Sequence, residues 1–290
     1  MWRQGGRWIG YATRTSGRDL CYLAWGAAKH ASLAATTKPI NAYSRMKNWL
    51  LNRHEQAQPL NYSGYVTRGL VAFFMLLFAY QLWILLHICW WIQFNPSSSA
   101  FMEDRLDVIQ EKNPDAELKH KWVKYNKISI HLKRAVIASE DAKFLDHEGF
   151  DWEGIEKAYK KNKRKGKIVA GGSTISQQLA KNLFLSTKRT PWRKAEEALI
   201  TVMLENILSK KRILEIYLNI IEWGNGVFGA EAAARHYYKT SAANLSSGQA
   251  AKLAAMIPNP RFYDKHTYTN YLSRRTATIQ ARMYQVSVPK

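Results

Sequence analysis

Three stretches of the chain combine residue types and spacings that suit chemistry on a sugar carrying an anionic leaving group. The first runs Glu140-Asp141-Ala142-Lys143-Phe144-Leu145-Asp146-His147-Glu148-Gly149-Phe150-Asp151. An acidic pair closes an apolar helical pattern, and a carboxylate held at the end of a half-buried helix while facing a cleft meets the requirement of a general base. Taken alone, the same stretch reads more readily as a surface helix terminus with solvated acids. His147 fits a structural hydrogen bond to the turn better than a metal ligand.

The second stretch is Gly171-Gly172-Ser173-Thr174-Ile175-Ser176-Gln177-Gln178-Leu179-Ala180-Lys181-Asn182. A glycine turn with hydroxyls opens a helix whose first amides can receive an anion. Gln177 and Lys181 fall at i and i+4 on one face, and Gln178 and Asn182 on the adjacent one. Such a polar strip suits sugar hydroxyls and phosphate, although a solvent-facing helix would look similar. The third stretch is Arg189 followed by Arg193-Lys194-Ala195-Glu196-Glu197. It sets Glu197 at i+4 and i+3 from two cations, a pattern that an ordinary surface ion pair shares.

The elements that must position these residues read as helices almost throughout. Leu132, Ala135, Val136, Ser139 and Glu140 share helical spacing. Asp151 is a candidate N-cap for a helix carrying Trp152, Ile155, Ala158 and Tyr159. Thr190-Pro191, a cap followed by proline in the first turn, opens a helix running to about Leu208. Ile175–Phe184 forms the helix behind the glycine turn, and further helices are expected over Lys211–Ile221, Val227–Tyr238, Ser247–Ile257 and Tyr268–Val286. Alternating β-branched runs are nearly absent, so the fold class is mostly α, with one domain over residues 126–290.

Residues 70–94 read LVAFFMLLFAYQLWILLHICWWIQF without one Asp, Glu, Lys or Arg. That exceeds the roughly 20 apolar residues a helix needs to cross a bilayer, and Trp90 and Trp91 fit an interfacial belt. Residues 1–69 hold ten Lys or Arg against Asp19 and Glu55, so the positive-inside rule places this basic arm in the cytoplasm and everything after the span outside. Residues 95–125 are polar and are expected to tether the span to the main domain. With no ATP outside, synthetic chemistry there needs a substrate already activated.

The chain carries 43 Lys and Arg against 22 Asp and Glu, a formal charge of +21, which predicts an anionic partner. An outside location argues against nucleic acid. Lys160, Lys161, Lys163, Arg164, Lys165 and Lys167 suit anionic membrane lipids or a solvated loop. Both cysteines, Cys21 and Cys89, precede the main domain, which leaves it without disulfide, thiol chemistry or a cysteine metal site.

Taken in order, the three stretches resemble the peptidoglycan glycosyltransferases of lysozyme-like fold (family 51), whose pattern reads Glu-Asp-x-x-Phe-x-x-His-x-Gly, Gly-x-Ser-Thr-Ile-x-Gln-Gln-x-x-Lys-Asn and Arg-Lys-x-x-Glu. Two more elements match. One is Lys210-Lys211-Arg212-Ile213-Leu214-Glu215-Ile216-Tyr217-Leu218-Asn219. The other is Gly229-Ala230-Glu231-Ala232-Ala233-Ala234-Arg235-His236-Tyr237-Tyr238-Lys239 with Leu253-Ala254-Ala255-Met256-Ile257-Pro258. The resemblance covers roughly residues 95–263 and departs from the family at Gln249, where many members carry Glu, and at Thr240. Glu222-Trp223-Gly224 and the short C-terminal tail look most like the monofunctional branch, which lacks a transpeptidase.

The resemblance implies a lysozyme-like all-α glycosyltransferase domain in the periplasm, anchored by a single span in the inner membrane. Its substrates would be lipid II and the growing glycan strand, joined by inversion from α to β with loss of polyprenyl diphosphate. Glu140 would be the base, Lys181, Arg189, Arg193 and Lys194 the cations on the pyrophosphate, and Glu197 a carboxylate orienting them. Ser173, Gln177, Gln178 and Asn219 would hold sugars or the cleft itself. It implies no obligatory cofactor, with Mg2+ or Mn2+ able to assist on the pyrophosphate. Cell-wall synthesis or division proteins are candidate partners. A lysozyme-like lytic enzyme and a non-catalytic basic membrane scaffold are the competing readings. The cationic strip favours the transferase over the former.

Overall fold

The long apolar run forms one helix, as its composition requires. In the computed structural model, which describes residues 40–55, 62–167, 169, 171–185 and 190–290, helix α1 spans Ile40–Glu55 and α2 spans Tyr62–Trp90. The chain divides into two units, residues 1–73 and 74–290; most of the basic arm lies outside the described residues. At 29 residues, α2 is long and apolar enough to cross a membrane. It starts eight residues before the expected span and ends at Trp90. Leu76, Phe78 and Leu86 are among the large apolar side chains it leaves exposed, a surface that water would penalise and lipid would not. One N-terminal apolar helix is thus a candidate membrane anchor.

In the second unit, the last turns of α2 join the core. Ile84 and Ile88 are fully buried, and Trp91 nearly so. The carbonyls beyond a helix C-terminus need donors, and Arg212 supplies them. Its Nε donates to the Trp91 carbonyl at 2.8 Å, and its Nη2 donates to the Phe94 carbonyl at 2.6 Å and to Asn95 Oδ1 at 2.8 Å. Glu215 holds the guanidinium from the other side at 2.8 Å.

Residues 95–125 are structured, where the sequence suggests a tether. Helix α3, Ala100–Gln110, opens on Ser99, whose Oγ accepts from the Met102 amide at 3.2 Å, and Met102 is buried. Strand β1, Lys119–His120, then enters a small sheet. The polar composition that suggests a tether is that of an amphipathic helix with one buried anchor.

The remaining helices are α4 (Ile130–Glu140), α5 (Trp152–Lys165), α6 (Ile175–Phe184), α7 (Pro191–Ile207), α8 (Lys210–Ile220), α9 (Ala230–Tyr238), α10 (Ser247–Met256), α11 (Pro260–Lys265) and α12 (Asn270–Arg282). The expected caps hold: Asp151 accepts from the Gly154 amide at 2.9 Å and Thr190 from the Arg193 amide at 3.2 Å. Helix α8 is the hub, with Ile213, Leu214 and all five residues from Ile216 to Ile220 buried. Alanine-rich α10 packs between α4 and α12, and α6 packs against α3, α7 and α8.

Two short strands complete the sheet, in the order β1-β3-β2: β2 is Glu222–Gly224 and β3 is Val227–Phe228. The latter corrects the helix expected from Val227. Two residues are too few to show alternation, and the helix begins only after Gly229. That glycine sits at φ +81°, where a Cβ would come within 2.6 Å of the Asn219 carbonyl oxygen, so no other residue fits without strain.

Glu222 on β2 is buried between Arg105 Nε at 3.6 Å and Arg261 Nε at 3.5 Å. Burial pushes its carboxyl above the ordinary range, and the two arginines offset this only in part. A carboxyl raised in the folded state contributes fully below its unfolded value, and the contribution is lost as pH rises through the folded value. Glu222→Gln is therefore expected to flatten the decline in stability above pH ~4.5, measured as urea midpoint against pH. Parallel profiles for the two proteins would contradict this.

Candidate functional site

Glu140 is the last residue of α4, with 11 % of its side chain exposed. Three neighbours fix the carboxylate. Ser139 Oγ donates to Oε1 at 2.9 Å, Gln178 Nε2 donates to Oε2 at 3.1 Å, and Arg275 Nη2 stands 3.5 Å from Oε1. Gln178 is itself oriented, because Tyr217 Oη donates to its Oε1 at 2.9 Å and thereby points the amide nitrogen at Glu140. Burial pushes the Tyr217 phenol far above its ordinary range, and the charges of Glu140 and Asp141 add to this. It therefore remains a donor.

Asp141 ties the end of α4 to the start of α6. Its buried carboxylate accepts from the Ile175 amide at 3.0 Å and from His147 Nε2 at 2.9 Å. The Gly149 amide donates to His147 Nδ1 at 3.1 Å, so Nε2 carries the proton and donates. His147 is thus structural, as its place in the turn suggests. Thr174, the N-cap of α6, donates through Oγ1 to the Gly149 carbonyl at 2.7 Å, and Lys210 donates to the His147 carbonyl at 2.6 Å. The loop lies hard against α7. Gly149 has φ +91°, and a Cβ there would come within 2.8 Å of Thr201 Cγ2.

The second cluster sits on the first turns of α7, which packs beside α6. Glu197 is buried, 3.4 Å from Arg193 Nη1 and paired with Lys194 Nζ. Two cations share one carboxylate, which holds both side chains on the same face of α7. Lys181 is partly exposed on α6, three residues beyond Gln178. Arg189 lies outside the described residues.

Of the residues expected to hold sugars or the cleft itself, two are committed to the protein's own frame and a third is exposed. Gln177 is buried and closes a capping box, its Oε1 accepting from the Thr174 amide at 3.0 Å, so it supports the helix and does not face a ligand. Asn219 is fully buried. It accepts from the Val123 amide at 2.9 Å and donates to the Val123 and Glu215 carbonyls at 2.9 and 2.8 Å, so it holds the cleft's frame. Ser173 is exposed just before α6. Ser139, Tyr217 and Arg275 were not singled out from the sequence. Tyr217 stood in a recognisable motif without an assigned role, and Arg275 lies 135 residues from Glu140 with no local pattern to mark it.

This is a carboxylate of fixed direction, hydrogen-bonded to a residue of α6, and α6 packs against the helix that carries Arg193 and Lys194; a directed carboxylate and a set of cations suit the activation of a hydroxyl and the binding of an anionic leaving group. Residues 106–284 match the transglycosylase family model. The chain belongs to the transglycosylase family. It is 69 % identical over 222 residues to the biosynthetic peptidoglycan transglycosylase of Methylobacillus flagellatus, covering 77 % of this chain and 97 % of that protein. The proteins of the same name from Laribacter hongkongensis and Chromobacterium violaceum are 64 % and 65 % identical, covering 78 % and 77 % of this chain and 99 % and 97 % of theirs.

If Asp141 is the tie, its removal leaves the Ile175 amide and His147 without their buried acceptor. Asp141→Ala is expected to lose about 2–4 kcal/mol of stability, read from chemical denaturation of the full chain. A loss indistinguishable from zero would contradict the assignment.

Proposed function

We propose that the chain is a peptidoglycan glycosyltransferase that polymerises lipid II into β-1,4-linked glycan strands, in keeping with the family and the names of its relatives. The observation that carries the mechanism is the directed Glu140 carboxylate, held by Ser139, Gln178 and Arg275. Glu140 takes the proton of the incoming 4-hydroxyl as its oxygen attacks the anomeric carbon of the donor strand. The bond to polyprenyl diphosphate breaks in the same displacement. One carboxylate acting as base, without a covalent sugar intermediate, is the requirement of inversion.

Lys181, Arg189, Arg193 and Lys194 balance the charge that gathers on the departing diphosphate. Glu197 keeps Arg193 and Lys194 in place. A Mg2+ or Mn2+ ion would arrive with the diphosphate, as part of the substrate. Gln178 and Ser173 are the neutral groups from the expected set placed to meet sugar.

The membrane reading is part of the proposal. The arm before α2 is cytoplasmic and the catalytic domain periplasmic, which follows from the arm's positive charge. Helix α5 supports contact with anionic lipid. Its basic run is helical through Lys165, and Trp152 and Tyr159, seven residues apart on one face, are exposed. Aromatic side chains beside lysines are the composition of an interfacial helix. Cell-wall synthesis or division proteins are candidate partners.

The test is incubation of the full chain with purified lipid II and, separately, with finished strands. The wild type is expected to extend lipid II, and Glu140→Gln to be slower by about 10²–10⁴-fold, the range for loss of a general base, with folding unchanged. An active Glu140→Gln, or an enzyme that only shortens finished strands, would overturn the proposal. Glu197→Gln is expected to raise KM for lipid II more than it lowers kcat; the reverse pattern would place Glu197 at the reacting atoms.

A further inference from the structure

We infer that Arg275 is a positioning residue for the transfer reaction, selecting which oxygen of Glu140 receives the proton. The inference rests on the reading of Glu140 as base. Arg275 lies on α12, outside every motif shared with the family pattern, and no chemistry was assigned to that helix from the sequence.

The atoms around Glu140 divide its two oxygens unequally. Arg275 Nη2 donates to Ser139 Oγ at 3.0 Å and stands 3.5 Å from Glu140 Oε1. Ser139 has one proton and two acceptors within reach, Glu140 Oε1 at 2.9 Å and the Ala254 carbonyl at 3.3 Å. With the guanidinium taking a lone pair of Oγ, the hydroxyl is polarised and its proton goes to the nearer, charged acceptor. Oε1 therefore faces both Ser139 and Arg275. Among the described residues, Oε2 faces Gln178 alone, at 3.1 Å. Each oxygen accepts one hydrogen bond, but Oε1 also lies 3.5 Å from a cation that stabilises negative charge on it, so Oε2 is the more basic position.

The same interactions are poorly explained as a device for stability. Helix α12 is anchored by buried Leu272, Ile279 and by Met283 beyond its end, against α4 and α10. An ion pair at 3.5 Å with 28 % of the arginine side chain exposed adds little.

The experiment compares Arg275→Met, Arg275→Lys and Glu140→Gln in the full chain, with lipid II as substrate, measuring kcat, KM and unfolding temperature. For Arg275→Met, kcat is expected to fall about 10- to 100-fold, the scale of a misdirected catalytic group, with KM and unfolding temperature unchanged. Arg275→Lys, which keeps a cation, is expected to recover part of the loss. A wild-type kcat in Arg275→Met overturns the inference. So does a fall in kcat matched by a fall in unfolding temperature, with no recovery in Arg275→Lys. An inactive Glu140→Gln beside a fully active Arg275→Met overturns the role of Arg275 alone, whereas an active Glu140→Gln overturns both this role and the base assignment.

Discussion

The buried carboxylate of Asp141 joins two helices that are far apart in sequence and that carry complementary halves of the candidate site. Helix α4 ends in Glu140, and α6 begins at Ile175, whose amide Asp141 accepts at 3.0 Å. Three residues into α6 stands Gln178, which donates back to Glu140. The distance from base to helix is thus set by a charged hydrogen bond one residue away from the base itself. Around it, His147, Thr174 and Gly149 close the intervening loop onto α7. Charge-assisted bonds of this kind are short and strong when buried, which suits a site where a small misplacement is costly.

A second constraint ties the site to the anchor. Arg212 stands in the first turn of α8, the hub of the core, and receives the carbonyls at the end of α2. At its other end α8 holds Asn219, which binds the chain at Val123, and between them Tyr217 reaches Gln178. One helix therefore connects the end of the apolar span to the orientation of the candidate base. The Arg212–Glu215 pair and the Tyr125 amide bound by Glu215 at 2.9 Å continue this frame.

Much of this was legible in the sequence because the cues are local. Caps such as Asp151 and Thr190-Pro191 announce helix starts within three residues, and the apolar run of α2 needs only composition. Glu140 and the cations around Glu197 stood out only through the ordered motifs together, since each spacing alone also fits a surface helix. Contacts across the fold left no such trace. Gln177 and Gln178 are adjacent and chemically identical, yet one is committed to a capping box and the other to the base, a choice fixed by which face of α6 meets α8. For Asn219 the sequence left sugar and the cleft itself both open, because nothing in its neighbours reveals that Val123 lies opposite. The small sheet was missed because its strands are two or three residues long, and α3 because Met102 is its one buried residue.

The central claim is that Glu140 works as a base in a single displacement, with no sugar ever bonded to the protein. The most direct measurement is the intact mass of the full chain quenched during turnover of purified lipid II, together with the anomeric configuration of the product linkages. An unmodified chain and linkages that are all β are expected. A glycosyl adduct on Glu140, or product of retained configuration, would contradict the claim.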